Sequence, residues 1–247
     1  MLRVQVICTG RLKESFYIEA CREYEKRLRR YCALEIIELP ETGDVTRDGE
    51  AMLKYTDVPV YAPPTVGRRL CGSVPALEDR LTVIRPGEPV ELGSLTVTAF
   101  HTSHDTDESV GYRLEDAGTS FGVCTDTGVV TDEIRAALRG CAAALIEANH
   151  DEEMLRFGAY PVYLKRRILS ERGHLSNAAC AELACFLAEN GTRSIVLGHL
   201  SRENNTPRRA CETVREALDS RGFSAVELLA ASQDEPVSLE VPCFASR

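Results

Sequence analysis

Apolar positions in the chain follow two periods. Tyr17, Cys21, Tyr24, Leu28 and Tyr31 recur at spacings of four and three, with charged residues between them. This predicts an amphipathic helix over residues 14–31. β-rich runs at 2–8 and 34–39 flank it, the second closed by Pro40. Strand, helix and strand make a βαβ unit with parallel pairing and a right-handed crossover. The polar stretch 42–50 carries Gly43 and Gly49 and reads as a boundary between a segment 1–43 and a domain 44–247.

Beyond the boundary, short runs predict strands at 58–61, 80–84, 90–92, 95–100, 112–114, 121–124, 142–147 and 194–197. The runs at 142–147 and 194–197 are largely apolar, as in strands buried on both faces. Thr131 can cap a helix to Arg139, and Ser176 one that Gly191 stops. Thr206-Pro207 opens a third, which Gly222 ends. Residues 226–229 and 237–241 are expected to close the chain as a hairpin. The expected class is a layered α/β fold.

Composition narrows the function. The 247 residues hold 29 Lys and Arg against 38 Asp and Glu, a net charge of −9. That disfavours a protein that coats nucleic acid through bulk positive charge, but not an enzyme that meets phosphate through metal. Residues 1–43 are near neutral (8 basic, 7 acidic), whereas the remainder has 21 against 31. None of the ten cysteines forms C-x-x-C, and most lie in apolar runs, so reduced thiols in a cytoplasmic protein are expected. No apolar run approaches the roughly 18 residues of a membrane helix, and no membrane association is expected. The start lacks the order of a secretory signal.

Five histidines are present, and their placement is informative. His104, His150 and His199 each follow a predicted strand, and Asp126 follows another. Singly, each is compatible with a loop or buried structural role. Jointly, they put imidazole and carboxylate at one end of several strands, where α/β folds build sites. That donor set suits zinc, manganese or iron.

The segments Phe100-His101-Thr102-Ser103-His104-Asp105 and Thr125-Asp126-Thr127-Gly128 resemble the later half of a metallo-β-lactamase-fold hydrolase. Glu147-Ala148-Asn149-His150-Asp151, Arg172-Gly173-His174-Leu175-Ser176-Asn177 and Gly198-His199 through Asn205-Thr206-Pro207 narrow this to the WalJ (YycJ) type. That group is linked to metal-dependent 5′-exonuclease activity on DNA. The resemblance spans about 51–241. It implies a truncated αββα sandwich behind the βαβ unit, and a weakly bound divalent metal, zinc or manganese. It implies metal ligands His104, Asp126 (bridging) and His199, with Asp126 and His174 catalytic. His150, His174, Ser176 and Asn205 would bind substrate, DNA or another phosphodiester. The family's H-x-H-x-D-H motif is absent, and Asp44-Val45-Thr46-Arg47-Asp48-Gly49-Glu50 stands in its place. Impaired activity is therefore expected.

Residues 1–41, with Thr9-Gly10-Arg11-Leu12-Lys13-Glu14 and Leu34-Glu35-Ile36-Ile37-Glu38-Leu39-Pro40, resemble the start of the SPOUT-class methyltransferase of large-subunit ribosomal RNA. Nothing after residue 43 resembles that family's knot, so S-adenosylmethionine is not expected as a cofactor. The chain reads as a chimera, with a methyltransferase-related protein or a non-catalytic fusion product as alternatives. A homodimer or poor solubility is expected from a sheet edge left uncovered by the strands missing from the hydrolase segment.

Overall fold

A computed structural model describes residues 2–231 and 237–239. The chain divides into two compact units, Met1–Val83 and Ile84–Arg247.

The first unit opens with β1 (Leu2–Thr9), α1 (Ser15–Leu28) and β2 (Cys32–Leu39). β1 and β2 pair in parallel, Val4 opposite Leu34, and form a sheet of two strands. This is the expected βαβ unit. Helix α2 (Val45–Leu53) then occupies the stretch read as a polar boundary. The Asp44 carboxylate accepts from the N–H groups of Thr46 and Arg47 and starts this helix. Gly49 lies inside it because a Cβ there would meet a Val74 methyl at 2.5 Å. Close packing, rather than a turn, explains that glycine. β3 (Val60–Ala62), α3 (Pro64–Ser73), a 3-10 turn (Pro75–Arg80) and β4 (Leu81–Val83) complete the unit, β3 pairing with β4 in parallel.

The second unit is built on one sheet of seven strands. These are β5 (Pro89–Leu92), β6 (Leu95–His101), β7 (Val110–Asp116), β8 (Thr119–Cys124), β9 (Ala143–Glu147), β10 (Ser194–Gly198) and β11 (Glu227–Ala230). They lie in sequence order across the sheet. β5 to β8 form an antiparallel meander, and β8 to β11 are parallel. The parallel steps are crossed by α4 (Asp132–Leu138), by α5 (Glu152–Phe157), α6 (Val162–Ile168) and α7 (Asn177–Glu189), and by α8 (Pro207–Ser220). One seven-stranded sheet with crossover helices agrees with the truncated sandwich.

The expected terminal hairpin is corrected. β11 joins β10 in parallel through α8, because a helix of this length carries the chain back to the starting edge of the sheet. Residues 237–239 carry no strand, and 240–241 lie outside the described residues.

Every residue of β10 is buried, as its apolar run predicts. One core joins Ile134 and Leu138 of α4, Leu183 and Leu187 of α7, and Val214 and Leu218 of α8 to Phe100, Ile146, Ile195 and Leu197 of the sheet. The caps expected at Thr131, Ser176 and Thr206 each accept an N–H from the first helical turn. β6, β8, β9 and β10 all run in one direction, so their C-terminal ends share one rim of the sheet.

Candidate metal centre

Four strand ends feed this rim. His104 follows β6, Asp126 follows β8, Glu147 ends β9, and His199 follows β10. His174 arrives on the loop before α7. Asp126 and His199 both hold left-handed backbone, with φ of 55° and 56°. Non-glycine residues rarely adopt it, and such outliers concentrate at functional sites.

The side chains converge on Asp126. Its Oδ1 lies 3.6 Å from His104 Nε2, 3.8 Å from His199 Nε2 and 3.9 Å from His174 Nδ1. The His174 ring stands between the other two imidazoles, its centroid 5.0 Å from His104 and 5.2 Å from His199. Hydrogen bonds orient the rings. His104 Nδ1 lies 3.1 Å from the Gly173 carbonyl, which only accepts, so Nδ1 donates there and Nε2 is the atom turned toward Asp126. His199 Nδ1 donates to Glu147 Oε1 at 2.8 Å, which leaves its Nε2 toward Asp126.

Glu147 is the residue that sequence reasoning passed over. Its side chain is fully buried, and one oxygen accepts from both His174 Nδ1 and His199 Nδ1, each at 2.8 Å. The other accepts the Thr127 N–H at 2.8 Å. Burial alone would raise this carboxyl, but the three hydrogen bonds outweigh it and hold the group below its usual range. In return, the Glu147 bond raises His199. The visible signal was a carboxylate ending the apolar run Ala143–Glu147, since a buried charge requires partners.

The loops interlock through backbone. The Ser103 N–H donates to Thr127 Oγ1, and the Gly128 N–H donates to the Ser103 carbonyl. Added Cβ atoms at Gly128 and Gly173 would lie 2.4 Å from the Ser170 oxygen and 2.1 Å from the Ile168 oxygen.

Other named residues sit elsewhere. His101 pairs with Glu133 at 3.0 Å and is exposed. His150 is buried, burial lowers its imidazole, and neither ring nitrogen has a partner. Ser176 caps α7 through its hydroxyl. Asn205 is buried and trades amide hydrogen bonds with Asn177. Besides His104, Asp126, His174 and His199, the cleft is lined by Asn149, Tyr160, Arg167 and Arg202. Burial pushes the Cys124 thiol up to about 12, so it stays protonated.

These residues fit a divalent cation. The donor atoms of His104, Asp126 and His174 lie within 4.8 Å of one another, as do those of Glu147, His174 and His199. Glu147 already takes the Nδ1 protons of two histidines, so it acts behind the ligands and orients them. With H-x-H-x-D-H absent, each of two ions would keep fewer protein ligands than the three or four usual for zinc.

Comparison with known proteins agrees. The model of the β-lactamase superfamily domain matches residues 41–200, and that of a SPOUT methyltransferase matches 2–58. Exodeoxyribonuclease YycJ of Bacillus anthracis is 34% identical over 204 residues, 81% of this chain and 76% of that protein. Exodeoxyribonuclease WalJ of Streptococcus pneumoniae is 41% identical over 136 residues, 55% of this chain and 51% of its own length, so the chain spans about half of that relative. The ribosomal RNA large subunit methyltransferase H 1 of Clostridium perfringens is 55% identical over 40 residues, 16% of this chain and 25% of that protein. The metallo-β-lactamase fold protein YhfI of Bacillus subtilis superposes with a TM-score of 0.55 at 15% identity, covering 91% of this chain and 83% of its own. The chain is therefore a chimera whose larger part belongs to the β-lactamase superfamily, a hydrolase of the metallo-β-lactamase fold, behind an opening segment of SPOUT-methyltransferase type.

Proposed function

We propose that the protein hydrolyses phosphodiester bonds of DNA, as a 5′-exonuclease, with zinc or manganese held by His104, Asp126 and His199. The observation that carries this is the convergence of three imidazoles on Asp126 over one buried carboxylate. A bound divalent ion would supply charge neutralisation and an acidified water. The chain's residues do the rest. Asp126, central among the imidazoles, would be the carboxylate shared by the bound metal. Glu147 fixes His174 through Nδ1, which leaves its Nε2 for a phosphate oxygen in the cleft it lines. Of the other substrate-binding candidates, His150, Ser176 and Asn205 act through the loops they brace.

The missing motif lowers metal affinity and turnover below those of a complete member of the family. The junction of the two families is placed within 42–51, inside the stretch 41–58 that both family models match. The protein works in the cytoplasm as a homodimer paired through the open edges of the β1–β2 sheet. No described helix is long and apolar enough to cross a membrane.

The test is hydrolysis of 5′-labelled DNA by protein stripped with chelator and reloaded with zinc or manganese. Turnover that returns with metal and disappears in Asp126→Ala supports the reading. Hydrolysis that persists in chelator, or in Asp126→Ala, contradicts it. A loaded protein that cleaves nothing points to the non-catalytic fusion product, which the missing motif favours.

A further inference from the structure

The cleft over the metal centre encloses about 720 Å³, the size of a small-molecule site rather than of a flat contact. Its lining has two characters. One part is the imidazole and carboxylate of the centre. The other comes from α6 and the residue two before it: the ring of Tyr160, the aliphatic side chains of Leu164 and Ile168, and the guanidinium of Arg167. Hydrolysis at the centre, as described, gives this second part no task.

Arg167 is held in place. Its Nε donates to Asp105 Oδ2 at 2.5 Å, and its Nη2 pairs with the same oxygen. Among the described residues nothing takes its Nη1, and the side chain remains 58% exposed. The other Asp105 oxygen lies 3.3 Å from His104 Nε2, so one carboxylate separates the guanidinium from that imidazole. Two further contacts join the same loops. Arg172 Nε donates to the His104 carbonyl at 3.0 Å, and the Gly173 carbonyl accepts from His104 Nδ1. The position of Arg167 beside the centre is therefore fixed by the loop that carries His104. An anion in the cleft would meet a cation already oriented, which lowers the ordering cost of binding it.

From these observations we infer that Tyr160 and Arg167 form a subsite for the nucleotide next to the scissile bond. Arg167 takes that nucleotide's phosphate through the edge that Asp105 leaves open. A planar, permanently charged fork suits phosphate oxygens. The nucleoside lies against the Tyr160 ring, with Leu164 and Ile168 beside it. An aromatic wall with one placed cation matches a nucleoside monophosphate, which joins an apolar ring system to an anion. Asp105 is a positioning residue that acts through Arg167. The inference rests on the DNA-hydrolase reading for the identity of the nucleotide.

The test is calorimetric titration of the full chain with thymidine 5′-monophosphate, in excess chelator so that no metal takes the phosphate. Thymidine and inorganic phosphate are titrated alongside, and each should bind more weakly than the nucleotide. Arg167→Gln should weaken nucleotide binding roughly 10- to 150-fold, the range of a hydrogen bond to a charged group. Arg167→Lys keeps the charge without the fork and should fall between wild type and Arg167→Gln. It also gives a second reading of the contact if Arg167→Gln does not fold. Tyr160→Ala should weaken the nucleotide roughly 5- to 150-fold and leave inorganic phosphate unchanged, while Tyr160→Phe keeps the wild-type affinity. Asp105→Asn separates positioning from bulk charge. Removing an acid from the cleft should by itself tighten an anion, whereas release of Arg167 weakens it, and weaker binding is expected.

Nucleotide affinity that ignores both Arg167 variants, or Tyr160→Ala, overturns the subsite. So does inorganic phosphate binding as tightly as the nucleotide, which would leave an anion site alone. Tighter binding in Asp105→Asn removes the positioning role. The subsite and the hydrolase fail separately. Nucleotide binding of the expected pattern, in a protein that cleaves no DNA under any metal, removes the hydrolase and leaves the subsite. DNA hydrolysis with nucleotide affinity indifferent to Arg167 and Tyr160 does the reverse.

Discussion

Asp126 carries two burdens, the convergence of three imidazoles and a left-handed backbone. A side chain with a Cβ costs about 1–2 kcal/mol in that conformation, and glycine costs little. Asp126→Gly should therefore be more stable than Asp126→Ala by about 1 kcal/mol, although both lose the carboxylate. Parallel denaturant titrations of the two variants check this, and equal stabilities would remove backbone strain from the account. Asp151 gives a pH-dependent case. Burial works against its charge, but the Met154 N–H and Arg209 overcome that and lower its carboxyl. Its contribution is therefore present above the unfolded value near 3.9 and fades as pH falls through the lower folded value. Asp151→Ala should cost about 1 kcal/mol at neutral pH as a lost helix cap. The difference from wild type should shrink in acid. A gap that stays constant down to pH about 3 would show that the charge does not matter.

At the scale of elements, the site depends on how closely its loops approach. Gly173 precedes His174, and a Cβ there would press into the Ile168 and Arg167 carbonyl oxygens at 2.1 and 2.3 Å. Neither atom is the flexible end of a side chain. Gly173→Ala should thus cost about 1–3 kcal/mol and shift His174, reducing metal affinity as well as stability. Thermal melts with and without zinc test both parts, and a variant with wild-type melting and metal response would refute the packing argument. Much at this scale was legible in the sequence. Periodicity gave α1 and the strands, and Ser, Thr and Pro at the starts of α4, α7 and α8 gave their caps. Of the shortest helices, only α4 was legible, through its Thr131 cap. α5 and α6 have 6 and 7 residues, too few for a period to repeat. Glycine misled at α2, because Gly49 serves contact with Val74 rather than a turn. Val226 and its neighbours looked like one arm of a hairpin, since strand direction is set by the connecting α8 and not by the strand's own residues.

For the whole molecule, similarity and compactness divide the chain at different places. Family likeness changes between residues 41 and 58, whereas the first compact unit runs to Val83. The four proposed centre residues and Glu147 all belong to Ile84–Arg247, so the missing H-x-H-x-D-H is a loss of ligands rather than of the rim that presents them. That rim was foreseeable, because one-sided delivery of His104, Asp126 and His199 follows from strand order. Glu147 was not, because its role appears only when two histidines far apart in sequence meet its oxygen. The homodimer proposed through the two-stranded sheet predicts a sedimentation mass of twice the chain at micromolar concentration, and a monomer would set it aside.

The most direct test of the centre is metal content. Wild type and Asp126→Ala are dialysed together against limiting zinc, and the metal retained per chain is measured by mass spectrometry. Wild type should keep zinc, weakly enough for chelator to strip it, and the variant should keep none. Equal retention by the two proteins would contradict the assignment of Asp126 as the carboxylate at the heart of the site.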